Sequence, residues 1–218
     1  MSRRAVTLAA ACSAFFTAPL WAQNPAALPP AKIEAIERAL STEMSRRGIP
    51  GLSVAVALDG EIRLANGYGL ADVENNVPAK ATTLYRLGSI SKTLTATAVM
   101  QLAEREKLDL EVPIQKYVPG FPEKPWPITV RQLLAHLGGI RNYSEGEFGS
   151  TKHYGRLSDA LAIFKDDPLV HEPGTKFLYS TYGYNLLGAA VEGASGESFL
   201  DYLRKNVLEP AGMERTGP

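Results

Sequence analysis

The sequence predicts a mixed α/β (α+β) chain, and three observations lead there. Two β-prone runs, Gly51 to Leu58 and Glu61 to Tyr68, flank Asp59-Gly60, a dipeptide that readily takes the positive φ angles of a tight hairpin turn. Ahead of them Ile33, Ile36, Leu40 and Met44 recur at three- and four-residue spacing while Glu34, Glu37, Arg38 and Arg46 take the other face, the period of an amphipathic helix. After them Leu94, Ala98 and Leu102 repeat that spacing in a helix expected to run from Ser91 to about Glu106. With 45% apolar residues in 218, the chain can build a core around an antiparallel strand pair.

Charge excludes some functions. Lysine and arginine number 23, as do aspartate and glutamate, so nothing suggests a nucleic-acid surface or a basic membrane-binding patch, and the expected partner is a small molecule or peptide. Residues 1–22 read as a signal peptide: Arg3 and Arg4 are the basic start, Ala5 to Phe16 the apolar stretch, and Leu20-Trp21-Ala22 a cleavage site. The apolar stretch is shorter than the roughly 20 residues a membrane helix needs, so no stable insertion is expected after cleavage and the location is periplasmic or secreted. Cleavage would remove Cys12, the only cysteine, and leave no disulfide, thiolate nucleophile or cysteine-bound metal. Residues 23–30, rich in proline and alanine, read as a linker, and residues 31–218 as one domain.

Along that domain, Gly48 sits where the first helix would stop, and Asn75-Asn76-Val77-Pro78 reads as a turn. Thr129 and Gln132 form a capping box for a short helix to His136, a lone histidine among leucines that reads as a satisfied structural residue. Arg141 to Arg156 is a polar, glycine-rich stretch with interspersed aromatics, expected to be a loop bordering a pocket. Helices are expected over Leu157 to Phe164, Thr181 to Ala194 and Ser198 to Leu208.

The chemistry centres on Gly88-Ser89-Ile90-Ser91-Lys92. Residues three apart share a helical face, so the Ser89 hydroxyl and the Lys92 amine can meet without help from the rest of the chain. A serine hydroxyl is a poor nucleophile until a neighbouring group takes its proton. Placed at a helix N-terminus, Ser89 would also face unpaired N–H groups that favour developing negative charge, and Gly88 would let the backbone approach closely and turn. Without chemistry the same residues read as an N-cap serine and a solvated lysine.

Ser-x-x-Lys resembles the nucleophile motif of the serine β-lactamase and penicillin-binding protein superfamily, in the branch of class C β-lactamases, esterases, D-aminopeptidases and LACTB-like proteins. Further matches follow in order: Leu133-Leu134-x-His136-x-x-Gly139-Ile140, then Pro173-Gly174 with Tyr179, then Pro210-x-Gly212-Met213-x-x-Thr216. The resemblance covers Ile33 to Thr216 and implies a β-lactamase/transpeptidase-like fold, a helical domain packed on an antiparallel sheet, here with the sheet incomplete. It implies that Ser89, Lys92 and Tyr179 are catalytic, the Tyr179 and Lys92 pair carrying the Ser89 proton to the leaving group, with no cofactor. The family's asparagine two residues after the tyrosine is Thr181 here, a candidate substrate contact that offers a hydroxyl but not an amide's paired donor and acceptor. Similar Tyr-Ser-Thr triplets occur in LACTB-like members.

The family's remaining portion supplies a Lys- or His-[Ser/Thr]-Gly strand with a second oxyanion donor, and no such triplet follows in this chain, which therefore reads as an incomplete copy. The leading expectation is an exported serine hydrolase forming an acyl-enzyme on an ester, amide or β-lactam carbonyl. The alternative is a non-catalytic or inactive member that binds cell-wall peptides or self-assembles. A metalloenzyme is disfavoured by three separated histidines without a pairing motif.

Overall fold

The computed structural model describes residues 28–217, so the segment read as a signal peptide and the first residues of the linker lie outside it. The chain divides after Tyr85 into two compact units. The first begins with α1 (Pro30–Arg47), one residue inside the expected linker, because proline at the first helical position gives up only an N–H that had no partner there. Ile33, Ile36, Leu40 and Met44 are its partly buried positions, as their spacing requires. Gly48, with φ of 64°, ends the helix in the left-handed cap.

β1 (Gly51–Leu58) and β2 (Glu61–Asp72) pair antiparallel in a register from Gly51 opposite Gly69 to Leu58 opposite Glu61. Asp59 and Gly60 both take positive φ, 53° and 77°, which matches the right-handed twist of the strands they join. Val77 and Pro78 depart from the expected turn and form β3, paired with the end of β2. The turn is set instead by the Asp72 carboxylate, which accepts from the Asn75 backbone and side chain, and it closes through Asn76 at φ 53°. Among the described residues the sheet is thus three-stranded, β1-β2-β3.

The second unit is helical: α2 (Ser91–Glu104), α3 (Val130–Leu134), α4 (Leu157–Ala160), α5 (Thr181–Ser195) and α6 (Phe199–Leu203). Nine of the 15 residues of α5 are buried, so it is enclosed nearly all round rather than along one stripe. Leu186 and Leu187 meet a core that includes Val99 and Leu102 of α2 and Val130 and Leu133 of α3, each large side chain contributing about 1.5–3 kcal/mol. α2 ends two residues early because Glu106 takes the left-handed position, φ 57°, that glycine usually marks. The segment expected as one helix from Leu157 breaks into α4 and a 3-10 turn (Leu161–Ile163), and α6 loosens into a π turn (Arg204–Leu208) where Gln101 of α2 and Arg105 just after it hold Asn206.

Gly193 has a packing reason: an added Cβ would overlap the backbone carbonyl of Tyr117. The root of the polar loop is anchored by Arg141, which donates two hydrogen bonds to Glu147 (2.8 and 3.0 Å) and one to Asp167 (2.6 Å). Tyr182 of α5 donates to the same Glu147 at 2.8 Å. Arg141 chiefly, helped by the Ser144 amide, holds the Glu147 carboxyl down at about 2, whereas burial first and Glu147 second push the Tyr182 phenol up to about 12.

Two outcomes follow for stability. Gly193→Ala forces backbone apart and should cost about 1–3 kcal/mol in urea unfolding. Because Glu147 ionises below its ordinary 4.5, its contribution is complete above that pH and is lost as the pH falls toward 2. Acid unfolding followed by circular dichroism should show this loss in the parent, and Glu147→Gln should be less stable at neutral pH with a flatter profile through that window.

Candidate active site

The turn before α2 creates the first half of the site. Gly88 has φ of 53°, so its role is the left-handed turn; nothing lies within 4 Å of where its Cβ would be, so the expected close approach is absent. Ser89 and Ile90 complete a 3-10 turn (Gly88–Ile90) that runs into α2. Neither the turn nor α2 has a side-chain cap, so the Ser89 hydroxyl is not serving as one. It faces its neighbours instead: Lys92 Nζ donates to Ser89 Oγ at 3.3 Å and the Tyr179 hydroxyl donates to the same oxygen at 2.8 Å.

The second half comes from the entry to α5. Ser180 is the N-cap, accepting from the Gly183 amide at 3.0 Å while its hydroxyl donates to the Arg141 carbonyl at 2.8 Å. That cap sets Tyr179 just outside the helix and Thr181 just inside it. Thr181 Oγ1 accepts from Lys92 at 3.2 Å, and its amide donates to Asn142 Oδ1 at 3.0 Å. All four residues singled out in the sequence, Ser89, Lys92, Tyr179 and Thr181, therefore meet around one ammonium group.

Lys92 is partly buried rather than solvated. Its Nζ lies 4.8 Å from the Tyr179 ring centroid and 5.8 Å from that of Tyr184, within cation–π range. Lys92 first and the Ser89 hydroxyl second hold the Tyr179 phenol below its usual value. The neighbouring Tyr184 phenol is pushed up, by burial first and by Tyr179 second, and donates to the Leu134 carbonyl at 3.0 Å. One tyrosine is thus poised to give up its proton and the other to keep it.

Two members of this surround, Tyr184 and Asn142, went unread in the sequence. Tyr184 could have been found, since it lies three residues after Thr181 on the same face of α5. Asn142 carries no local signal; only the fold brings the loop root to Thr181. His136 was read as structural, and its ring does lie against Tyr179, with centroids 4.5 Å apart. Among the described residues no group of three or more histidine, cysteine, aspartate or glutamate side chains could hold a metal ion.

Comparison with known proteins adds to this geometry. The Beta-lactamase family profile matches residues 36–217. The human mitochondrial serine beta-lactamase-like protein LACTB is 35% identical over 72% of this chain, which spans 42% of that relative's length. An octameric penicillin-binding protein homologue from Pyrococcus abyssi superposes with a TM-score of 0.73 at 34% identity, over 84% of this chain and 43% of its own. EstCE1, a hydrolase with promiscuous acyltransferase activity, superposes at 0.70 with 30% identity, over 80% of this chain and 50% of its own. Several motifs, a common fold and a profile match over most of the chain agree: the protein belongs to the Beta-lactamase family and has its β-lactamase/transpeptidase-like fold of helices with an antiparallel sheet.

Proposed function

We propose that this chain is the nucleophile-bearing part of an exported serine hydrolase that acts on an ester, amide or β-lactam carbonyl of a small molecule or peptide. The observation that carries the reading is the 2.8 Å contact between the Tyr179 hydroxyl and Ser89 Oγ, with Lys92 donating to the same oxygen at 3.3 Å. A general base must lie within about 2.6–3.2 Å of the atom whose proton it takes. Tyr179 meets that distance, and its acidified phenol is the better proton acceptor at moderate pH once ionised.

In the proposed reaction the Tyr179 phenolate takes the Ser89 proton as Oγ bonds to the carbonyl carbon. The phenol then returns that proton to the departing alcohol or amine, and the carbonyl is left as an ester of Ser89. Water attacks this acyl-enzyme by the same exchange in reverse, releasing the acid and regenerating the Ser89 hydroxyl. Lys92, which donates to Ser89 Oγ and lies over the Tyr179 ring, stabilises the phenolate. Thr181, already tied to Lys92, is the proposed substrate contact. The export signal and the periplasmic or secreted location belong to the same proposal, supported by the pattern of residues 1–22.

A penicillin or a phosphonate ester should add one acyl or phosphonyl group to the chain, read by intact mass, and Ser89→Ala should abolish the adduct; equal labelling of that variant would sink the reading. Tyr179→Phe should slow labelling by about a hundred- to ten-thousandfold. Since the reactive form is the phenolate, labelling should rise with pH and level off below the ordinary phenol value of 10.0. Lys92→Ala should move the Tyr179 titration upward in carbon NMR of ring-labelled tyrosine; an unmoved titration would show that Lys92 is not what acidifies it.

A further inference from the structure

His136 lies outside the group that meets at Ser89, yet the two backbone amides on either side of Tyr179 both end on it. The Leu178 amide donates to the His136 carbonyl at 2.9 Å, and the Ser180 amide donates to His136 Nδ1 at 3.1 Å. The first bond depends on an unusual backbone. His136 follows the short helix α3 at φ 58°, the left-handed region that L residues rarely adopt, and this turns its carbonyl toward residue 178. Its ring then packs on the side chain between those amides: 4.5 Å from the Tyr179 ring at an interplanar angle of 33°, 5.0 Å from Tyr184 at 36°, and edge-on to Phe177 at 5.8 Å.

We propose that His136 is a positioning residue that holds the Tyr179 phenol against Ser89, gripping the tyrosine by both flanking amides and by its ring face. The proposal rests on the hydrolase reading only in taking Tyr179 as the proton carrier. The grip requires an unprotonated Nδ1, because a protonated one could not accept the Ser180 amide. The charged and titratable groups around the ring are Lys92 of α2, Tyr179, and Tyr184 of α5. Burial first and the Lys92 charge second hold the imidazole below its ordinary 6.5, so it remains a neutral acceptor at neutral pH. The arrangement is more than core packing: Tyr179 is 39% exposed, and His136 meets it from the side away from its hydroxyl contact with Ser89 through two backbone bonds as well as a ring face.

Two variants separate the contacts. His136→Asn keeps a side-chain acceptor and tolerates the left-handed backbone but removes the ring; His136→Gly tolerates the backbone and removes both. Circular dichroism and the urea midpoint establish that each is folded, and if the glycine variant is not, the asparagine variant decides alone. Carbon NMR of ring-labelled tyrosine, with Tyr179 assigned through Tyr179→Phe, should show the Tyr179 titration moving up in both variants. Phosphonate labelling of Ser89 should slow about tenfold in the asparagine variant and about a hundredfold in the glycine variant, with the half-saturating probe concentration unchanged, the scale expected when a reacting group is misplaced by about 1 Å. A folded asparagine variant with the parent's Tyr179 titration and labelling rate would overturn the proposal. Should the parent itself not be labelled, the hydrolase reading fails, while the Tyr179 titration still decides the role of His136.

Discussion

The ammonium group of Lys92 is the point on which the site depends. It joins the 3-10 turn before α2 to the first turn of α5 through Ser89 Oγ and Thr181 Oγ1, and it lies against the rings of Tyr179 and Tyr184. Two helix N-termini and the Lys92 side chain therefore share a small volume, and each N-terminus adds the fractional positive charge of its helix dipole. Such a concentration of charge of one sign is unfavourable unless something negative can form inside it. A phenolate on Tyr179 and, in the proposed reaction, an oxyanion on a carbonyl bonded to Ser89 would relieve it, and the Lys92 contact first and the Ser89 contact second hold the Tyr179 phenol below its ordinary value.

That charge geometry is held by apolar packing. Residues 89 and 179 are far apart in sequence, and the proposed proton transfer over 2.8 Å would tolerate little error. The positions are set by α2 and α5, whose Ala98, Val99, Leu102, Leu186, Ala190 and Val191 are fully or almost fully buried. Gly193 lets the Tyr117 segment close on the far end of α5, and the Arg141, Glu147 and Asp167 ion pairs fasten the loop root whose Asn142 holds the Thr181 amide. Breaking any of these supports changes the site without touching a reacting atom.

What could be read in the sequence divides along the same line. The hairpin was legible because Asp59-Gly60 and alternating strands are local signals, and so was the pairing of Ser89 with Lys92, which needs one helical turn. The capping box of Thr129 and Gln132 formed as its spacing required. Tyr179 was legible only through a motif, since nothing near residue 179 says that residue 89 is opposite it. The misses are cases where tertiary contact overrides a local preference. Glu106 ends α2 without the usual glycine, Val77 and Pro78 join the sheet where asparagines and proline suggested only a turn, and Asn206 is pulled toward α2 so that the last helix loosens. His136 was read as a satisfied structural residue without its partners, because those lie more than 40 residues away.

Thr181 shows how far geometry refines a substitution noticed in sequence. Where relatives carry asparagine, a planar amide could accept from the lysine through its oxygen and donate to a substrate through its nitrogen, using separate atoms for the two tasks. Threonine must do both with one oxygen. Here that oxygen accepts from Lys92 at 3.2 Å, and its own hydrogen remains to be given. As a proposed substrate contact it would therefore offer that hydrogen and its one remaining lone pair, both at a place set by the Lys92 bond. Esters and amides both present an acceptor for that hydrogen in their acyl portion, so the threonine narrows the geometry of recognition more than its chemistry. The amide's longer reach is what is lost, and under the proposed contact a substrate would bring its own acceptor within hydrogen-bond distance of the start of α5.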